Sequence, residues 1–189
     1  MTVRLMRGVA LCLCLCASYA AQAGAPPPAG LNDRLLIVHN LARKAANVPP
    51  LVWSEALAIA AKSWATSLAR SGQFEHAQQP SGKNAQGENL WMGTASSYTP
   101  EEMVGAWVDE KKYYVRGIFP KVSTTQNWPD VGHYTQMIWY NTTAVGCALV
   151  TGGGDDYLVC RYSPAGNWIG QDAQGNKPVA KQIIKKKPK

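Results

Sequence analysis

Ala144-Val145-Gly146-Cys147-Ala148-Leu149-Val150 and Tyr157-Leu158-Val159-Cys160-Arg161-Tyr162-Ser163 are two β-prone runs joined by Thr151-Gly152-Gly153-Gly154-Asp155-Asp156. Runs of this composition around a glycine-rich turn read as a β-hairpin. Symmetric pairing about the glycines sets Cys147 opposite Cys160, Val145 opposite Tyr162 and Leu149 opposite Leu158. Directly opposed residues have Cα separations of ~4.5–5.5 Å, which a disulfide spans. One face then carries Val145, Cys147, Leu149, Leu158, Cys160 and Tyr162, and Arg161 points the other way. Closing this loop stabilises by roughly 3 kcal/mol on the chain-entropy account. Two thiols at rung spacing fit a disulfide and not a chelate.

Upstream of the hairpin lies Gly132-His133-Tyr134-Thr135-Gln136-Met137-Ile138-Trp139, whose pattern fits helix and strand equally well. An imidazole inside so apolar a run needs hydrogen-bond partners if it is buried. Residues 115–131 have turn composition. Before them a helix is well marked, with Thr99 as cap, Pro100 in the first turn and Glu102 completing a capping box. Its register puts Glu110 on the apolar stripe with Met103, Ala106, Trp107 and Tyr114, so that carboxylate must be paired or protonated. Residues 73–97 show no periodicity and read as a long irregular segment holding His76 and Glu88, of the kind that is often functional. An earlier helix starts at Ser54, buries Leu57, Ala60, Ala61, Trp64 and Leu68, and closes at Arg70 and Gly72. The first helix is capped by Asn32 or Asp33, buries Leu35, Val38, Leu41, Ala42 and Ala45, and stops before Pro49-Pro50. Helices upstream of a β-hairpin place the chain in the α+β class.

The ends differ from the body. Arg4 and Arg7, the apolar run that follows, and Ala21-Gln22-Ala23 read as an export signal over residues 1–23. Residues 24–30, with Pro26, Pro27 and Pro28, read as a stiff linker. Residues 177–189 form a Lys-rich tail suited to solubility or to peripheral contact with an anionic surface. Of the 19 basic side chains, two lie in the leader and six in the tail, leaving 11 in the body against 12 acidic ones. The near-neutral body gives no electrostatic case for nucleic acid. A secreted protein is expected, periplasmic in a Gram-negative source, in an oxidising compartment that suits the disulfide.

His76, Glu88, Glu110 and His133 offer an N2O2 set that can hold Zn²⁺ or a related divalent ion, or form a hydrogen-bonded acid–base cluster. The stretch 132–139 resembles the signature of the CAP superfamily (cysteine-rich secretory proteins, antigen 5, pathogenesis-related 1). Val38-His39-Asn40 with Arg43, Gly87-Glu88-Asn89-Leu90, Trp107-Val108-Asp109-Glu110, Val145-Gly146-Cys147 and Gly166-Asn167-Trp168-Ile169-Gly170 match further blocks in order. The resemblance implies an α-β-α sandwich with a small antiparallel sheet between helical layers, spanning residues 31–176. It also implies a cleft with a His-Glu-Glu-His tetrad at His76, Glu88, Glu110 and His133. His76-Ala77 stands where the family has His-Ser. Of the three disulfides of plant-type members only Cys147 with Cys160 remains.

The expected function is a monomeric, non-enzymatic binder of an apolar or amphipathic ligand, lipid- or sterol-like, whose tetrad binds a divalent metal. The rival is a metal-dependent hydrolase or protease with Glu88 or Glu110 as general base. No motif sets a serine or thiol nucleophile beside either histidine.

Overall fold

The hairpin forms in the expected register. In the computed structural model, which describes residues 30–80 and 82–175, Cys147 pairs with Cys160, Val145 with Tyr162 and Leu149 with Leu158. The two cysteines are joined as a disulfide, Cα to Cα 4.1 Å. The strands, β3 (Ala144–Gly152) and β4 (Asp155–Ser163), run longer than expected. Gly153 and Gly154 alone make the turn, both with positive φ, as a two-residue hairpin turn of this kind requires. The expected leader, nearly all of the Pro-rich linker, and the Lys-rich tail lie outside the described residues.

The remaining elements are α1 (Leu31–Ala45), β1 (Val52–Trp53), α2 (Glu55–Ser71), β2 (Gly87–Thr94), α3 (Pro100–Asp109) and α4 (Gly132–Met137). The strands form one sheet in the order β1-β3-β4-β2. Pairing is antiparallel except at the short β1, which runs parallel to β3.

The starts of α2 and α3 follow local chemistry. Ser54 accepts from the Leu57 amide to cap α2, and Gly72 ends it in the left-handed region at φ 69°. Thr99 and Glu102 form the capping box of α3. In α1 the cap is Gly30 and not Asn32 or Asp33, and no side chain caps it.

Layering follows from strand alternation. On one face Leu90, Tyr157 and Val159 meet Ala61, Ala65 and Leu68 of α2. The opposite face presents Val145, Leu158, Tyr162 and the disulfide to Leu35 and Ala42 of α1, Met103, Val104 and Trp107 of α3, and Met137 of α4. The result is an α-β-α sandwich. Sheet and α2 lie so close at Gly146 that a Cβ there would sit 2.3 Å from the Ala58 nitrogen. A smaller core, with Phe119, Val131, Tyr134, Ile138, Trp139 and Ala173, anchors the irregular segments around α4.

Three readings of the sequence need correction. The segment expected to be irregular contains β2, an edge strand whose alternation is masked because both its faces are covered. By register Glu88 and Leu90 share a face with Arg161 and Val159, while Asn89 and Trp91 share the other with Cys160 and Leu158. In α3 Val104 is buried and Ala106 is exposed, so the stripe is rotated by part of a turn. In α1 the buried face is Leu35, His39, Ala42 and Arg43, whereas Leu41 and Ala45 are exposed.

Candidate functional site

The site straddles the start of the edge strand β2. On the α3 side, α3 ends at Asp109 and a 3-10 turn, Glu110–Tyr113, carries the next carboxylate inward. His133 is the second residue of α4. Its Nδ1 lies 2.6 Å from Glu110 Oε1, and the Tyr134 amide donates to Glu110 Oε2 at 3.0 Å. The ring stacks on Trp107, centroids 5.9 Å apart and planes 16° from parallel. Asn89 Nδ2 donates to the His133 carbonyl at 3.1 Å, and Asn167 Nδ2 to that of Gly132 at 2.9 Å. The first turn of the short helix that carries His133 is therefore fixed from two sides.

On the α2 side, Glu88 leaves β2 with its side chain only 4% exposed. Its Oε1 accepts from His76 Nδ1 at 2.7 Å and from the Ala77 amide at 3.0 Å. Arg161, its register partner, brings Nη2 to 2.9 Å from Oε2. That contact lacks hydrogen-bond geometry, and Arg161 Nε is buried without an acceptor. Arg161 therefore acts on Glu88 by charge more than by a directed bond. Burial pulls the Arg161 guanidinium below its ordinary value, and Glu88 opposes that shift.

These contacts settle the imidazole tautomers. An ionised carboxylate only accepts, so each Nδ1 must carry the proton and each neutral ring keeps its lone pair on Nε2. Neither Nε2 has a protein partner among the described residues. Both histidines, with Glu88, Asn89, Trp128 and Asn167, line one cavity of about 200 Å³. Glu110 stands behind His133, outside that lining.

The four sequence-predicted residues are thus brought to one place as two His–Glu pairs, not as a closed chelate. Among the described residues, the group of potential metal ligands drawn within 4.8 Å of one another is His39, Cys147 and Cys160. That group is disabled. Its sulfurs are bonded to each other, and His39 spends both nitrogens, on the Leu35 carbonyl and the Tyr162 hydroxyl. Asn89, Asn167, Trp128 and Arg161 also shape the site and were not singled out from sequence. Asn89 and Asn167 fall inside the motif blocks, which is the signal that could have found them.

A second cavity, about 580 Å³, runs along the outer side of α1 and the loop after it. Leu36, Ile37, Leu41, Val48 and Pro50 make it apolar, and Lys44 adds a cation. Leu41 and Ile37, which the sequence pattern would bury or leave to chance, are exposed here.

Sequence comparison matches residues 36–162 to the CAP family, described as the cysteine-rich secretory protein family. A pathogenesis-related protein PR-1 of Medicago truncatula is 34% identical over 157 residues, covering 82% of this chain and 86% of that protein. Scoloptoxin SSD976 of Scolopendra dehaani is 33% identical, covering 80% and 77%. Among solved structures, NaASP2 with Zn²⁺ superposes with a TM-score of 0.62 at 24% identity, covering 80% of this chain and 90% of that one. No helix among the described residues is long and apolar enough to cross a membrane.

Proposed function

The chain belongs to the CAP family, and from that premise we propose that it is an exported binding protein with a divalent-ion centre in the tetrad cavity and a separate apolar groove for a lipid- or sterol-like ligand. The observation that carries the ion centre is the pair of carboxylate-fixed imidazoles, His76 and His133, each with an unshared Nε2 in one cavity. A histidine held from behind by a carboxylate is the usual arrangement of a metal-ligating histidine. Zinc takes such nitrogens at ~2.0–2.1 Å and completes its shell with water. Glu88 and Glu110 then orient the ligands and do not themselves ligate, which narrows the four-ligand set expected from sequence. Bringing the two rings together asks for side-chain movement, for which the 63% exposed His76 side chain has space on its solvent side while Nδ1 stays on Glu88. NaASP2, which shares the fold, is a structure with Zn²⁺.

The bound metal would supply a fixed positive charge at the cavity mouth. The hydrolase alternative would need Glu88 or Glu110 as a free base. Glu88 is already committed to His76, the Ala77 amide and Arg161, and Glu110 to His133 and the Tyr134 amide. Calorimetric titration with zinc should show binding that His133→Ala abolishes and Glu110→Gln weakens by about 10–100-fold, the usual cost of losing such an orienting partner. Undiminished affinity in both variants would remove the ion centre.

The tetrad cavity is smaller than the ~300–1,000 Å³ of typical ligand pockets, whereas the groove along α1 lies within that range. An amphipathic ligand fits there with its chain on Leu36, Ile37 and Leu41 and an anionic head toward Lys44. Fluorescent fatty-acid titration should give an affinity about tenfold weaker in Leu41→Asp, with zinc binding untouched. Equal affinity in that variant would move the ligand elsewhere.

A further inference from the structure

Most of the outer edge of β3 is left unpaired. On its inner side β3 bonds to β4 over its full length, but on the outer side only Ala144 and Val145 have a neighbour, β1. β1 stops at Trp53 because Ser54 turns the chain into α2. The Ser54 amide donates to the Val145 carbonyl at 2.8 Å, so Val145 faces outward. Backbone groups alternate along a strand, and Cys147, Leu149 and Thr151 therefore turn their N–H and C=O the same way. Those groups have no hydrogen-bond partner among the described residues. Exposure grows along the edge, from the buried Cys147 through the half-buried Leu149 to the exposed Thr151. A groove of about 310 Å³ opens on it, between Leu31 and Asn32 on one side and Glu55, Ile59 and Lys62 of α2 on the other.

α2 runs alongside this edge. Gly146 lies against Leu57 and Ala58, and Gly152 against Ala69, so strand and helix advance together and Leu149 comes level with Ser63. The flank of α2 above the edge carries Glu55, Ile59, Lys62, Thr66 and Arg70 at three- and four-residue steps. Ile59 is 65% exposed. Thr66 and the neighbouring Ser67 turn their hydroxyls back onto the Lys62 and Ser63 carbonyls, which leaves a small, smooth surface toward the middle. The ends are charged. Arg70 pairs with no acid among the described residues, and Glu55 meets only the Trp53 indole, at 3.4 Å.

We propose that a second copy of the chain occupies this edge, β3 pairing with β3 antiparallel about a two-fold axis at Leu149. Leu149 then exchanges backbone bonds with the partner's Leu149, and Cys147 with the partner's Thr151, as an antiparallel ladder requires. An open edge is a template for such pairing, and the four-stranded sheet becomes one sheet running through the dimer. The two α2 helices come side by side and antiparallel. Glu55, in the first turn of one, meets the partner's Arg70, in the last turn of the other. The flank is thus complementary to itself, which is the condition a two-fold interface imposes. An unrelated extended peptide would satisfy the backbone and leave both charged ends unanswered. Lys62 falls near the axis, facing its own counterpart, and weakens the pairing. None of these residues lines the tetrad cavity or the groove along α1, so the dimer is independent of what either of them binds.

Sedimentation velocity of the exported protein over a series of micromolar concentrations tests this, with far-ultraviolet circular dichroism as the control for folding. Wild type is expected to pass from monomer to dimer as its concentration rises. Glu55→Arg and Arg70→Glu each set like charges against each other at both ends of the interface and should weaken self-association by about tenfold. Mixed in equal amounts, the two variants should form a heterodimer about as readily as wild type pairs, because both ends then join opposite charges again. Lys62→Ala should tighten the dimer. The proposal is overturned if wild type stays monomeric, the state expected from the sequence. It is equally overturned if the two charge-reversed variants self-associate as wild type does, or if mixing them restores nothing.

Discussion

Arg43→Ala is expected to lower the unfolding free energy by about 5 kcal/mol, a third or more of the ~5–15 kcal/mol of an ordinary domain. The guanidinium is fully buried and has no carboxylate partner among its contacts. It is solvated by carbonyls: Nε donates to Pro49 O at 2.5 Å, Nη1 to Met137 O at 2.8 Å and to Trp139 O at 2.9 Å, and Nη2 to Thr142 O at 2.9 Å. Two of those carbonyls lie at and just past the negative end of α4. Burial draws the Arg43 pKa down to about 10, with Tyr162 opposing, so the charge persists at neutral pH. Removing the side chain takes a donor from four carbonyls, leaves those of Met137 and Thr142 buried without it while the Trp139 carbonyl keeps the Thr142 amide, and opens a cavity, each a recognised source of large destabilisation. Arg43→Met separates the two, since it refills much of the volume and satisfies no carbonyl. Chemical denaturation should place Arg43→Met at least 3 kcal/mol below wild type and Arg43→Lys between them. A methionine variant within 1 kcal/mol of wild type would mean that packing, and not carbonyl solvation, is what Arg43 supplies.

Arg43 also marks the limit of what the sequence discloses. The hairpin was legible to the residue pair because strand alternation, a glycine turn and two cysteines all state the same register. The starts of α2 and α3 were legible because Ser54 and the Thr99–Glu102 box are local chemistry. Arg43 and His39 were not, because hydrophobic periodicity assigns charged and polar residues to the solvent face. Here the partners that make burial tolerable come from about a hundred residues away. The strand β2 escaped for a related reason: its two inward carboxylate and amide groups, Glu88 and Asn89, belong to the site and break the apolar pattern of a buried strand. The site residues themselves were reached through motif resemblance plus the position of Glu110 on α3. Their division into two His–Glu pairs depends on side-chain distances that no spacing in the sequence encodes.

Between pH 7 and pH 4 the protein is expected to lose roughly 3 kcal/mol of stability through His39 alone. The ring is fully buried, and that burial, helped by the charge of Arg43 and opposed by the Leu35 carbonyl, lowers its pKa to about 4 from an unfolded value near 6.5. Above pH 6.5 both states leave the ring neutral, so it contributes no slope. Between 6.5 and 4 the unfolded chain holds the extra proton and the folded one does not, so stability falls as pH falls through this window and levels off below it. The bonding pattern gives the structural reason. His39 Nδ1 donates to Leu35 O, so Nε2 must accept from the Tyr162 hydroxyl, 2.8 Å away, whose oxygen accepts from Asn89 Nδ2 at 3.1 Å. Burial raises the Tyr162 pKa well above its ordinary value, which keeps that hydroxyl a donor. A proton on Nε2 would strand the Tyr162 hydrogen and turn two donors toward each other. The denaturation midpoint of wild type, followed from pH 7 to pH 4, should therefore drop more steeply than that of His39→Gln. Parallel curves would show that His39 is not the group that titrates. The same Asn89 amide holds the His133 carbonyl. Protonation of His39 therefore reaches the candidate ion site from the core side, and zinc affinity should fall more steeply as pH is lowered in wild type than in the His39 variant.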